Sequence, residues 1–157
     1  MGIQPVSGRR ALLAAGLLST GIALLHVIII FGGAPAYRYF GAGEQMARQA
    51  EAGSYFPGLL TATVTLFFAV FAFYAFAGAT VAPRPPLLRT GLILIGVIYT
   101  LRGLLLAPQL VAYLANAPLL ASKGLVFSTV SLLIGFVYRF GTWQAWPALR
   151  NARWRVA

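Results

Sequence analysis

The sequence predicts an all-α protein, a four-helix bundle integral to a membrane, and three observations carry that expectation. Of 157 residues, 60% are hydrophobic and only 9% are charged, whereas a soluble domain has about 25% charged residues. Mostly apolar stretches with few charges recur four times along the chain, each near the ~20 residues needed to cross a hydrocarbon core about 30 Å thick. The cations sit mostly at the borders of those stretches, as they do where Lys and Arg set the orientation of membrane helices.

The first span is expected at 11–32. Arg9-Arg10 precede it, and from Ala11 to Tyr37 there is no formal charge, with His26, the one histidine of the chain, inside it. Its apolar run exceeds the ~7–15 residues of a signal-peptide core, so a retained helix is expected rather than a cleaved leader. A loop at 33–56 follows. Within it Ala42–Ala52, rich in Ala, Gln, Glu and Met and closed by Gly53, reads as a short surface helix without a clean apolar stripe. The second span, 57–80, is dense in Phe, Val, Leu and Ala. The third, 87–108, starts after Pro85-Pro86, contains Arg102 and is expected to stop at Pro108, which cannot continue a helix without a kink. The fourth, 121–142, lies between Lys123 and Arg139, whose long side chains extend its reach. Together they make 1–157 a single transmembrane domain with no soluble domain beside it.

An even number of spans puts Arg9, Arg10, Arg84, Arg89, Arg139, Arg150, Arg153 and Arg155 on one side. The other side holds Arg38, Arg48 and Lys123, offset by Glu44 and Glu51. The positive-inside rule then predicts N-in/C-in topology, both termini cytoplasmic, in a bacterial inner membrane. The net charge of +10 is thereby a topology signal, and nucleic acid is not an expected partner. Trp143, Trp146, Arg150, Arg153, Trp154 and Arg155 read as an anchor at the headgroup level, where Trp rings and Arg side chains favour the interface.

Absence of cysteine removes disulfides, thiolate metal sites and Cys nucleophiles. One His and two Glu are too few for the three or four ligands of a zinc site. No metal or cofactor is therefore expected, and enzyme function is disfavoured.

Inside the spans, ionisable residues ask for an explanation. Arg102 either snorkels to the headgroups or faces inward against an acid, and Tyr99 three positions earlier shares its helical face. His26 has Ala23, Ile22 and Ser19 at helical spacing, small enough to suggest a helix contact; it either hydrogen-bonds a neighbouring helix or serves as a proton relay or ligand contact. Thr61, Thr63, Thr65, Ser128, Thr129 and Ser131 fall in the same outer half. The pattern predicts a cavity open to that side, with His26, Glu44, Tyr99 and Arg102 as its ligand-binding residues and Glu44 or Glu51 folding back toward Arg102. Each hydroxyl can instead bond its own helix backbone. Gly16, Gly21, Gly91, Gly96 and Gly103 are expected at close helix contacts.

Tyr39-Phe40-Gly41-Ala42-Gly43-Glu44, Leu101-Arg102-Gly103-Leu104 and Gly141-Thr142-Trp143 resemble small bacterial four-helix membrane proteins, a resemblance that spans nearly the whole chain and brings no activity with it. In helix count and layout the chain is distantly similar to the DoxX-like superfamily. That similarity implies electron transfer near quinone, with no catalytic motif matched residue by residue. The expected function is a non-catalytic scaffold or accessory subunit, with a homo-oligomer, another membrane protein or membrane lipids as partners. The alternative is a binder or transporter of a lipid, quinone or other amphiphile.

Overall fold

A computed structural model describes residues 8–115 and 120–151. Six helices follow in order, α1 (Arg9–Tyr39), α2 (Glu44–Glu51), α3 (Phe56–Gly78), α4 (Leu88–Leu104), α5 (Leu106–Leu114) and α6 (Leu120–Asn151). Four segments are long and apolar enough to cross a membrane: α1, α3, α4 with α5, and α6.

Three expected boundaries are corrected, and each corrected helix runs through a proline. The first helix does not stop at residue 32. Pro35 lacks the N–H that a continuous helix would use there, and Gly33, at φ 58° and ψ −148°, absorbs the mismatch in a region of backbone space essentially reserved for glycine. Beyond this kink the chain continues helically to Tyr39, so the expected loop shrinks to a short turn before α2. The third span does not end at Pro108. The missing Pro108 N–H frees the Leu104 carbonyl and separates α4 from α5, but Gln109 N–H donates to Leu105 C=O at 3.3 Å and the helix resumes to Leu114. The last helix runs through Pro147 to Asn151, nine residues past the expected 142.

The spans alternate up and down, a topology that short connections favour. The closest packing joins α1 to α3 and α4 to α6, and the pairs meet along α1 with α6 and α3 with α4. The first and last spans are therefore neighbours. Leu12, Ala15, Ala75, Leu92, Ile95, Ile134 and Tyr138 form the main core. Glycines create its close approaches: Gly103 lies against the Leu132 backbone, Gly96 beside Tyr138 and Gly16 under the Phe76 ring. Gly21 departs from expectation, because nothing lies within 4 Å of where its side chain would be. A girdle of exposed Leu, Ile, Val and Phe covers the outside.

At one end of the bundle Tyr39, α2 and Lys123 come together, with Lys123 Nζ donating to Tyr39 C=O at 3.3 Å and lying 4.0 Å from its ring centre. This is called the Lys123 end; the opposite, Arg9 end carries the α3–α4 connection and the C-terminal part of α6. The short helix α2 does have an apolar side. Ala47 is buried against Ile29, Ala34 and Tyr37, flanked by Met46 and Ala50, at the helical spacing of one face.

Candidate functional site

The buried centre of the bundle is a polar knot that joins all four spans. Ser19 Oγ lies 3.0 Å from Tyr99 Oη and 2.9 Å from Tyr138 Oη, and Tyr138 Oη donates to the Phe71 carbonyl at 2.8 Å. Each hydroxyl has one proton, which fixes the direction. Tyr138 gives its proton to Phe71 C=O, so Ser19 donates to Tyr138, and Tyr99 donates to Ser19. Ser19 and Tyr138 are fully buried and Tyr99 is 3% exposed. The two tyrosine rings stack at 5.6 Å between centres, with Phe68 and Phe71 against Tyr99. The chain of donors ends on a backbone carbonyl, which has no proton to pass on, so the knot holds helices together rather than conducting protons.

The four residues expected to share a ligand site have separate partners. Tyr99 belongs to the knot. His26 is half-buried, its Nδ1–H donating to Ile22 C=O at 2.8 Å; it bonds its own helix one turn back, not a neighbouring one, and its ring lies 5.0 Å from Phe68. Glu44 does not reach toward Arg102. It accepts from Arg38 Nε at 2.9 Å and Nη2 at 3.0 Å, and from Arg48 Nε at 3.2 Å. Glu51 accepts from Arg38 Nη1 at 2.6 Å and Nη2 at 3.1 Å. One guanidinium thus clasps both acidic side chains of the sequence, tying α2 to the end of α1. Its hydrogen bonds, with those of Arg48, hold the Glu44 carboxyl down at about 2, and Arg38 likewise lowers Glu51. Glu44 also lines an open groove on α2 with Gln45, Arg48, Gln49 and Ala52.

Arg102 projects from α4 toward α6. Its Nη1 donates to Ser128 Oγ at 2.9 Å, and Ser128 donates in turn to Gln109 Oε1 of α5 at 2.7 Å. Ser128 stands about one turn closer to the Lys123 end than Leu132, which faces Gly103, or ~6 Å at 1.5 Å per residue. The side chain therefore leans toward that end, as a snorkelling Arg does. The other hydroxyls of the expected cavity bond their own helices: Thr61 to Pro57, Thr63 to Leu59, Thr65 to Thr61, Thr129 to Leu125 and Ser131 to Phe127. Among the described residues no group of three His, Asp or Glu side chains converges as a metal site would require.

Of the anchor residues, Trp143 is 73% exposed and Arg150 is exposed. Trp146 is half-buried, with the Arg89 guanidinium 4.5 Å from its ring centre, a distance suited to cation–π attraction. Arg153, Trp154 and Arg155 lie outside the described residues. Sequence reasoning missed Tyr138 and Gln109. Compared with known proteins, the chain matches no family model, no curated protein and no solved structure.

Proposed function

We infer that this chain is a non-catalytic multi-pass membrane protein, a scaffold or accessory subunit that offers an apolar, lipid-facing circumference to another membrane protein or to a second copy of itself. The observation that carries the reading is the knot. Its hydroxyls satisfy one another in a fixed order that ends on Phe71 C=O, leaving neither a free base nor a nucleophile at the centre. In this reading the chain sits in a bacterial inner membrane with both termini cytoplasmic. The charges support that orientation: Arg9, Arg10, Arg84, Arg89 and Arg150 gather at the Arg9 end, while both Glu side chains gather at the other.

Photo-crosslinking from single lipid-facing positions such as Phe31, Leu133 and Trp143 in living cells tests the function. A scaffold gives one defined protein adduct from adjacent positions on one face. Lipid adducts alone, from every position, count against it. Because the chain has no cysteine, Ser54→Cys and Arg150→Cys test the orientation directly. An impermeant maleimide labels the first in intact cells and the second only after lysis.

A second reading, a binder or transporter of a lipid, quinone or other amphiphile, draws support from one observation. Among the described residues Arg102 has a hydroxyl but no carboxylate as partner. Mass spectrometry of small molecules retained in native membrane discs separates the readings. A discrete quinone or lipid present with wild type and lost from a folded His26→Ala/Arg102→Leu variant favours the second.

A further inference from the structure

Among the described residues, the seam between α4–α5 and α6 holds more donors than acceptors. In the sequence Arg102 → Ser128 → Gln109, the serine hydroxyl receives one bond and gives one, and the Gln109 carbonyl oxygen is occupied. Arg102 has five N–H donors and Gln109 two. Among the described residues only one of them, on Arg102 Nη1, has a partner in this group. The seam is built for that inventory. Gln109 follows Arg102 by seven positions and so shares its helical face, and Gly124 one turn before Ser128 lets the Gln109 amide pack at 3.1 Å from its virtual side chain. The α4–α5 break at Leu105, imposed by Pro108, falls between the two donors.

Among the described residues the charge of Arg102 has no counterion. The sequence contains two acidic side chains, and Arg38 and Arg48 clasp both. A guanidinium in apolar surroundings without a compensating anion is strongly disfavoured. Arg102 is exposed, with Leu101 at 60% and Leu105 at 48% beside it and Val126 and Val130 exposed on α6. An anion reaching Arg102 from the side therefore crosses an apolar rim that suits acyl chains.

We propose that Arg102, Gln109 and Ser128 form a binding site for the phosphate of an anionic membrane lipid, whose acyl chains lie along the exposed leucines and valines of the seam. A planar guanidinium fork binds phosphate oxygens in pairs, and the Gln109 amide adds donors for a third. The lean of Arg102 toward the Lys123 end brings the charge to the level where a headgroup can be drawn in. The proposal rests on the second reading of function and names the ligand class and the seam that would hold it; loss of the seam contacts alone would leave that reading to the native-disc experiment.

The test is native mass spectrometry of the full chain in detergent, titrated with three probes: dioleoylphosphatidylglycerol, dioleoylglycerol with the same tails and no phosphate, and inorganic phosphate. The expected result is a one-to-one adduct with phosphatidylglycerol at concentrations where dioleoylglycerol gives none, and no displacement by millimolar phosphate. Arg102→Gln weakens the adduct at least tenfold, and Arg102→Lys recovers part of the loss. Gln109→Met, close in shape and lacking donors, weakens it about threefold and serves if Arg102→Gln does not fold. Equal binding of dioleoylglycerol, or unchanged phosphatidylglycerol binding in Gln109→Met and the folded Arg102 variant, overturns the proposal. Displacement by inorganic phosphate overturns the lipid and assigns the site to an aqueous anion.

Discussion

Removing Ser19 from the central knot should do more harm than removing either tyrosine hydroxyl, and the proton order says why. In Ser19→Ala the Tyr99 hydroxyl loses its acceptor in a place that is 3% exposed, whereas Tyr138 keeps its donation to Phe71 C=O. A buried donor left unpaired costs about 1–3 kcal/mol, while hydrogen bonds between membrane helices average about 0.6 and reach about 1.7 kcal/mol. A loss of about 1–2 kcal/mol is expected. Tyr99→Phe strands no proton; it removes one incoming bond from Ser19 Oγ, a change of about 0.5 kcal/mol. Tyr138→Phe falls between, since the Ser19 proton must turn to its own backbone, a back-bond open to serine in a helix. Deleting both partners of a bond can be nearly neutral, so Ser19→Ala/Tyr99→Phe should be more stable than Ser19→Ala alone. Unfolding by increasing sodium dodecyl sulfate in mixed micelles, followed by circular dichroism, measures all four. A double variant less stable than Ser19→Ala, or a Tyr99→Phe loss larger than that of Ser19→Ala, would refute the proton order.

Three further outcomes follow from particular contacts. Gly103→Ala places a methyl group 2.6 Å from Leu132 Cα, and overpacking of this kind costs about 1–3 kcal/mol; Gly21→Ala, with open space around it, should be close to neutral in the same unfolding assay. Pro108→Ala restores an N–H opposite the Leu104 carbonyl, and hydrogen exchange should show a protected amide at 108 and slower exchange through 105–109; unchanged exchange would show that the break has another cause. Because the folded carboxyl of Glu44 is held down at about 2 and that of Glu51 is lowered too, the clasp contributes fully above their ordinary value of 4.5 and is lost as pH falls from there toward 2. Amide exchange in α2 should therefore quicken over that acid window in wild type and show much less pH dependence in Glu44→Gln/Glu51→Gln.

The four spans were legible because long apolar runs with few charges have few other uses in a chain of this composition. Their ends were less so: Pro108 read as a stop, and the first and last spans were closed at 32 and 142, yet each helix continues through a proline, Pro35, Pro108 or Pro147. That error hid Tyr138. The last span was set to end at 142, close to Arg139, and Tyr138 drew no notice; with α6 reaching Asn151, it stands at the depth of Ser19 and Tyr99. Tyr99 was singled out as part of a cavity shared with Arg102, whereas its hydroxyl ties α4 to Ser19. Glu44 was drawn toward Arg102 by charge alone, when Arg38, six residues away in the chain, is the nearer partner and forms a fork with it. Gln109 drew no notice because it follows the proline taken as the end of the span.

Ser19 and Tyr138 are separated by 119 positions in the chain, and that interval is also a delay. A ribosome adding ~5–20 residues per second makes the partner of Ser19 on the order of 10 s after Ser19 itself. Throughout that time Ser19 lacks the acceptor that Tyr138 supplies, and the fallback is the carbonyl one turn back, as Thr20 uses that of Gly16. The arrival of α6 exchanges this local bond for the one that locks the first span to the last. Every shortened product that stops before Tyr138 lacks the bond that locks the first span to the last.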